Sequence, residues 1–317
     1  MEPLLLEPHY VSPVWGGSRI AQARGISWTK EDNHGESFDV SAHPLTMGVV
    51  RNGPYARMTL AEAIAAHHDE LLGAVPDDAP LQITTMDAAE TLSVQVHPPE
   101  AYAQKAEGDH GKVESWYILA AEPGATLIGG CSTSDVDALR EAAADDSIAS
   151  RYGQRIVVRE GDFVLIPEGT MHALGKGIFA VEVGSLGNTT YRICDWGRGR
   201  QLHVDKAFDV LKTDNRPSVT HLGAYSGQMT RELLGVDAGF FKSFVLDVDG
   251  RQSFSCNGRY AVITCVGGTA LVSTADGSVE LGYTASCLVP ATASTYVISG
   301  TCRVLRSIRT PNMSEET

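Results

Sequence analysis

Two histidines, a glutamate and a glutamine in this 317-residue chain stand where strand geometry could bring them together around a metal ion. Residues 161–172 read Gly-Asp-Phe-Val-Leu-Ile-Pro-Glu-Gly-Thr-Met-His. That is a turn, a short apolar strand, a second turn at Pro167 and Gly169, and then His172. Upstream, Ser93-Val-Gln-Val-His97 alternates polar and apolar residues, so Ser93, Gln95 and His97 share one face. Pro98 and Pro99 end that strand. Further on, Lys112-Val-Glu-Ser-Trp puts Lys112, Glu114 and Trp116 on one face. If these faces point into a barrel, Gln95, His97, Glu114 and His172 converge. Two imidazoles, one carboxylate and one amide oxygen suit zinc or another borderline divalent ion. No cysteine belongs to the set, so it is not a structural thiolate site. A ligand position open to water or substrate is the catalytic arrangement.

The elements that must carry these residues are mostly strands. Residues 35–44 and 81–86 read as strands, as do 179–184 and 189–196, the last placing Thr190, Arg192 and Cys194 on one face. An arginine between Tyr191 and Ile193 in a half-buried strand fits a surface salt bridge poorly. Three helical stretches interrupt the strands, at about 59–73, 100–107 and 133–151, the first capped by Thr59. Residues 205–212 also read as helical. His43, before a proline at a strand end, and the adjacent His67 and His68 on a helix are read as structural or surface residues. From about residue 220, short strands recur between glycine turns at 241–248, 259–266, 269–273, 286–289 and 296–298. No histidine follows His221, which argues against a second imidazole site.

The spacing that ends in His172 is similar to the second half of the cupin motif, with Lys176 where that family often has Asn. Ser-Val-Gln-Val-His-Pro, Gly-Lys-x-Glu-x-Trp-Tyr, Ile-Pro-x-Gly-x-x-His-Ala-Leu and Thr-Thr-Tyr-Arg-x-x-Asp-Trp together resemble the zinc-dependent mannose-6-phosphate isomerases, in particular the short bacterial form. The resemblance runs from Pro13-Val-Trp-Gly-Gly17 to about Leu211. It implies a mainly β fold: two cupin-like jelly-roll barrels, with helical insertions on the first. Residues 1–220 would form the catalytic domain and 221–317 a smaller jelly roll. It implies one zinc per chain on Gln95, His97, Glu114 and His172, a catalytic Arg192 and an active-site Lys112. Lys112 is then a candidate acid–base group, its pKa lowered by the nearby metal. Trp15, Ser93 and Thr84 are the candidate substrate contacts, Trp15 falling near the active-site end. Two departures stand out. Thr84 occupies the position of a family lysine expected to face the substrate, and Asn188 replaces a family aspartate.

Composition bounds the partners. A net charge of −14 argues against nucleic acid, whose phosphates require a basic surface. A phosphorylated hexose needs only a local basic cluster, for which Arg198, Arg200 and Lys206, or Arg19 and Arg51, are available. No apolar run reaches membrane-spanning length, and the acidic, proline-broken start is unlike a signal peptide, so a cytoplasmic protein is expected. None of the six cysteines forms Cys-x-x-Cys, and reduced buried thiols are expected. The leading expectation is isomerisation of mannose 6-phosphate to fructose 6-phosphate through an enediolate. Thr84 motivates the alternative of another aldose, phosphorylated or not. A non-catalytic metal-bound sugar-binding cupin is the third reading. An iron oxygenase is disfavoured, because Gln-His-Glu-His does not match the two-His-one-carboxylate triad. The oligomeric state is not legible in the sequence.

Overall fold

Alternating side-chain direction lets one strand feed two cores, and the sheets of this protein stack on that basis. The computed structural model describes residues 1–75, 79–227 and 229–310. A seven-stranded antiparallel sheet runs in the order Ser218–His221, Asp162–Ile166, Glu114–Ala121, Ile178–Gly184, Gln82–Asp87, Glu36–Val40, His9–Val11. A five-stranded sheet is ordered Tyr191–Cys194, Val94–Val96, His172–Ala173, Thr126–Cys131, Gly153–Val157. Between them lies a core containing Trp116, Ile118, Leu127, Val164 and Ala180. Tyr117, Leu119, Val181 and Val183, the alternate residues of the same strands, belong instead to a core shared with Val262, Leu288 and Leu305 of the C-terminal half. The central strands are therefore buried on both faces.

The C-terminal half is a nine-stranded sheet arrangement with its own second core around Leu246, Ile263, Val272, Leu281 and Tyr296. The mainly β expectation holds, as several sheets rather than closed barrels. The N-terminal strand Leu4–Glu7 joins this C-terminal sheet, pairing with Ser286–Val289 on one side and Val49–Val50 on the other. Two long strands, Phe241–Ser255 and Thr295–Arg309, pair along their whole length. The sequence reading cut both short at glycines. Gly250 and Gly300 face each other in register, with φ of 104° and 129°. These values are open to glycine, so the ribbon continues through them.

The helices at Leu60–Leu71 and Glu100–Glu107 fall where expected, the first with a capping box between Thr59 and Glu62. The expected single helix at 133–151 is two, Val136–Ala144 and Ile148–Tyr152. Asp146 takes a left-handed φ of 59° between them, and its carboxylate accepts from the backbone of Asp195 and Gly197. The first helix is closed by the Ser147 N–H, which donates back to the Ala142 carbonyl at 2.8 Å. Helix Val204–Val210 is close to the expected 205–212.

Candidate active site

Three of the expected residues lie on one rung of the five-stranded sheet. His172 pairs directly with Gln95, and Gln95 pairs directly with Arg192 on the opposite side. Gly169, with φ of 75°, turns the chain after Pro167 and donates its N–H to the His97 carbonyl, tying the two histidine segments together. Glu114 arrives from the facing sheet, where its strand pairs with Asp162–Ile166 and Ile178–Gly184. The ligating atoms of His97, Glu114 and His172 all lie within 4.8 Å of one another, and all three residues are buried. Gln95 joins them, its amide 3.5 Å from Nε2 of each histidine.

The donor set fits a divalent metal, and the hydrogen bonds show why. His97 Nδ1 donates to the Thr189 carbonyl at 2.8 Å, and His172 Nδ1 donates to the Thr170 carbonyl at 2.8 Å. Carbonyls only accept, so both protons sit on Nδ1 and both Nε2 atoms turn lone pairs inward. Those atoms lie 3.6 Å and 2.9 Å from the Glu114 carboxylate. Burial pushes the His97 pKa down to about 4, so the ring is neutral and able to ligate at pH 7. Burial alone would raise the Glu114 pKa, but the charge of Lys112 leads the interactions that outweigh it and keep the carboxylate ionised. The amide of Gln95 can present its oxygen by a half-turn, since its two ends are interchangeable in shape.

A cleft of about 630 Å³ opens on this cluster. Trp15, Ser93, Gln95, Lys112 and Arg192 line it, as do Glu36, Glu182 and Arg200. Ser93 donates its hydroxyl to the Gln95 amide oxygen at 3.3 Å. Arg192 donates to the Gln201 carbonyl at 2.8 Å, while its buried Nε has no partner. Thr84 is placed differently. It pairs with Glu182 and Phe38, which line the cleft, without itself being among the lining residues, and its buried hydroxyl has no partner.

Lys112 is clamped between two carboxylates, 2.8 Å from Glu182 and 3.3 Å from Glu114. Burial favours the neutral amine, but Glu182 and Glu114 outweigh it and raise the pKa above the ordinary lysine range. Glu182 was missed by the sequence reading. Its only signal is one acid inside the otherwise apolar Phe-Ala-Val-Glu-Val run. Burial pushes its carboxyl up, as does neighbouring Glu114, while Lys112 opposes them. Burial also lifts Glu36 to about 7, so this cleft carboxyl titrates near neutrality. His43 is not in the metal cluster; it pairs with Asp109 at 3.2 Å.

Comparison with known proteins agrees with this architecture. Residues 4–124 match the model of "Phosphomannose isomerase type I, catalytic domain", and residues 235–309 match "Mannose-6-phosphate isomerase, cupin domain". The mannose-6-phosphate isomerase of Streptococcus mutans is 32% identical over 315 residues, covering 96% of this chain and 98% of that one. A Bacillus subtilis mannose-6-phosphate isomerase is 32% identical over 282 residues, 84% of this chain and 86% of its own. The crystal structure of a mannose 6-phosphate isomerase from Bacillus subtilis superposes with a TM-score of 0.84 at 28% identity, over 97% of this chain and 99% of that one.

Proposed function

This chain belongs to the type I mannose-6-phosphate isomerases, aldose–ketose isomerases by chemistry, and from that premise we propose a zinc-dependent interconversion of mannose 6-phosphate and fructose 6-phosphate through an enediolate. The observation that carries the metal assignment is the pair of inward Nε2 atoms fixed by the Thr189 and Thr170 carbonyls beside Glu114. Gln95, His97, Glu114 and His172 would hold the ion. Bound there, zinc would supply Lewis acidity toward the sugar's oxygens.

The residues of the cleft divide the remaining work. The reaction moves one proton between C1 and C2, so a group able to take and return a proton is needed within reach. Glu36, titrating at about 7, suits that role. The Lys112 ammonium, held by Glu182 and Glu114, donates a hydrogen bond to the sugar oxygen on which negative charge develops. Arg192 stabilises the same charge or orients the open-chain sugar, and its high pKa makes it a poor base. Trp15 and Ser93 form the surrounding wall.

The phosphate falls to Arg200. Of the basic residues open to that role, Arg198 is paired with Asp195, Lys206 with Glu107, Arg19 with Asp87 and Arg51 with Glu7. Arg200 also pairs with Asp195, but it lines the cleft beside Arg192 and retains further N–H donors. Thr84, where the family lysine stands, favours a second reading in which an unphosphorylated aldose is accepted. The six free, buried cysteines support a reducing compartment such as the cytoplasm. No helix among the described residues is long and apolar enough to cross a membrane.

Turnover of mannose 6-phosphate and of mannose, with and without a chelator, tests this directly. The expected outcome is chelator-sensitive activity, with kcat/KM orders of magnitude higher for the phosphosugar. Arg200→Ala should raise KM for the phosphosugar by roughly one to two decades. His97→Ala and His172→Ala should lose both metal and activity. Equal kcat/KM for the two sugars supports the second reading. Zinc retained by both histidine variants refutes the ligand set.

A further inference from the structure

Asp109 sits in the turn between helix Glu100–Glu107 and strand Glu114–Ala121, outside the ligand set. Its carboxylate is the hub of a hydrogen-bond network. One oxygen accepts from His43 Nε2 at 3.2 Å and from the His110 N–H at 2.7 Å. The other accepts from the Asn188 N–H at 3.1 Å and the Thr189 hydroxyl at 2.6 Å. The direction of the His43 bond follows from its other nitrogen: Nδ1 accepts from the Leu45 N–H, so Nε2 carries the proton. The next residue in this chain of contacts is a metal ligand. The carbonyl of Thr189 is the group that accepts from His97 Nδ1.

Packing explains why this network is needed. The turn before Asn188 and the turn holding Asp109 approach so closely that a Cβ at Gly187 would lie 2.3 Å from the His110 carbonyl oxygen and 2.6 Å from that of Gly111. A second hollow of about 630 Å³, lined by His43, Asp109 and Thr189 among others, lies on the far side. In front is the cleft, which Leu45, Asn188 and Thr190 line. Residues 188–190 thus form a partition between two hollows, held by the hydrogen bonds to Asp109. His172 has a different arrangement, since its Nδ1 partner is the carbonyl of Thr170, two residues away in its own segment.

We propose that Asp109 is a positioning residue for the metal site. By clamping Asn188 and Thr189 it places the Thr189 carbonyl that fixes His97 in its Nδ1–H form with Nε2 aimed at the ion. Through His43 the same carboxylate ties that clamp to the Leu45 wall of the cleft. The inference rests on the ligand set assigned above, and its test reads the metal and one imidazole proton, independently of which sugar is turned over.

The experiment is zinc affinity by competition with a chromogenic chelator, together with the NMR signals of the two Nδ1 protons. Asp109→Asn keeps the shape but replaces one acceptor oxygen with a donor. It should weaken zinc binding by roughly 10- to 100-fold. The His97 Nδ1 proton should exchange faster or broaden, while that of His172 stays sharp. Thr189→Val removes one donor to Asp109 but keeps the carbonyl, and should shift both readouts less, in the same direction. Zinc affinity within about twofold of wild type, with both protons intact, overturns the inference. Loss of both protons together also overturns it, because that marks general loosening. If Asp109→Asn fails to fold, Thr189→Val decides: an unchanged affinity and an unchanged His97 signal count against the proposal. A wild-type protein that binds no zinc removes the ligand set and this inference together, whereas zinc bound equally by wild type and Asp109→Asn removes the inference alone.

Discussion

Lys112 and Arg192 reach the cleft by different means, and their substitutions should separate chemistry from metal binding. Lys112 is held between Glu182 and Glu114, while Arg192 has no acidic partner within ion-pair distance among the described residues. Lys112→Met and Arg192→Ala should keep the zinc yet lose roughly 10²-fold or more in kcat, as for removal of an electrostatic or acid–base group. Near-normal kcat in both variants would return them to structural roles. Glu36 makes a pH prediction. A base must be deprotonated to act, and burial sets this carboxyl at about 7. Activity should therefore be full above that value and fall as pH drops through it, toward one decade in kcat/KM per unit. Glu36→Gln should lose most turnover and abolish that acidic limb. A wild-type profile flat from pH 5 to 8 would remove Glu36 from the mechanism.

At the scale of elements, the legible part of the site was the part written in period two. Gln95, His97 and Glu114 could be read because a polar residue recurs at every second position of short strands. The pairing of His172, Gln95 and Arg192 on one rung realises that pattern. Glu182 escaped because a single acid in a strand buried on both faces breaks no periodicity. Asp109 escaped because it lies in a Gly-Asp-His-Gly turn, where aspartate is ordinary. Its partners come from residues 43 and 188–189, distant in sequence. The glycines of the long ribbon were misread for a related reason: glycine punctuates strands by default, and only the pairing partner shows when a strand runs through. Thr84 offers a test of placement. Its buried hydroxyl has no partner, which typically costs about 1–3 kcal/mol. Thr84→Val should therefore raise stability by about 1 kcal/mol without changing KM for either sugar. A selective rise in KM would mean that the hydroxyl reaches substrate after all.

At the scale of the whole molecule, the two halves share structure that a cut at residue 220 would divide. Leu4 is fully buried, and its strand bridges Ser286–Val289 and Val49–Val50. Arg303 of the C-terminal sheet is fully buried too. It pairs with Asp247 at 2.6 Å and donates to the Tyr117 hydroxyl at 3.1 Å and the Gly223 carbonyl at 2.6 Å. A core that runs through Leu4, Tyr117, Val181, Val262 and Leu305 joins the two halves, beside the cores that each half also keeps to itself. The expected consequence is one cooperative unfolding transition, and the residue types supply two separate probes of it. All four tryptophans lie before residue 197, whereas Cys256, Cys265, Cys287 and Cys302 are buried in the C-terminal half. Tryptophan fluorescence thus reports one half, and labelling of those thiols, with Cys131 and Cys194 replaced, reports the other. Their denaturant midpoints should coincide. Leu4→Ala should lower both together, by about 2–5 kcal/mol, because the truncated side chain leaves a cavity where the sheets meet. If thiol exposure moves while fluorescence stays in place, the N-terminal strand stabilises only the C-terminal sheet, and the halves unfold as separate units.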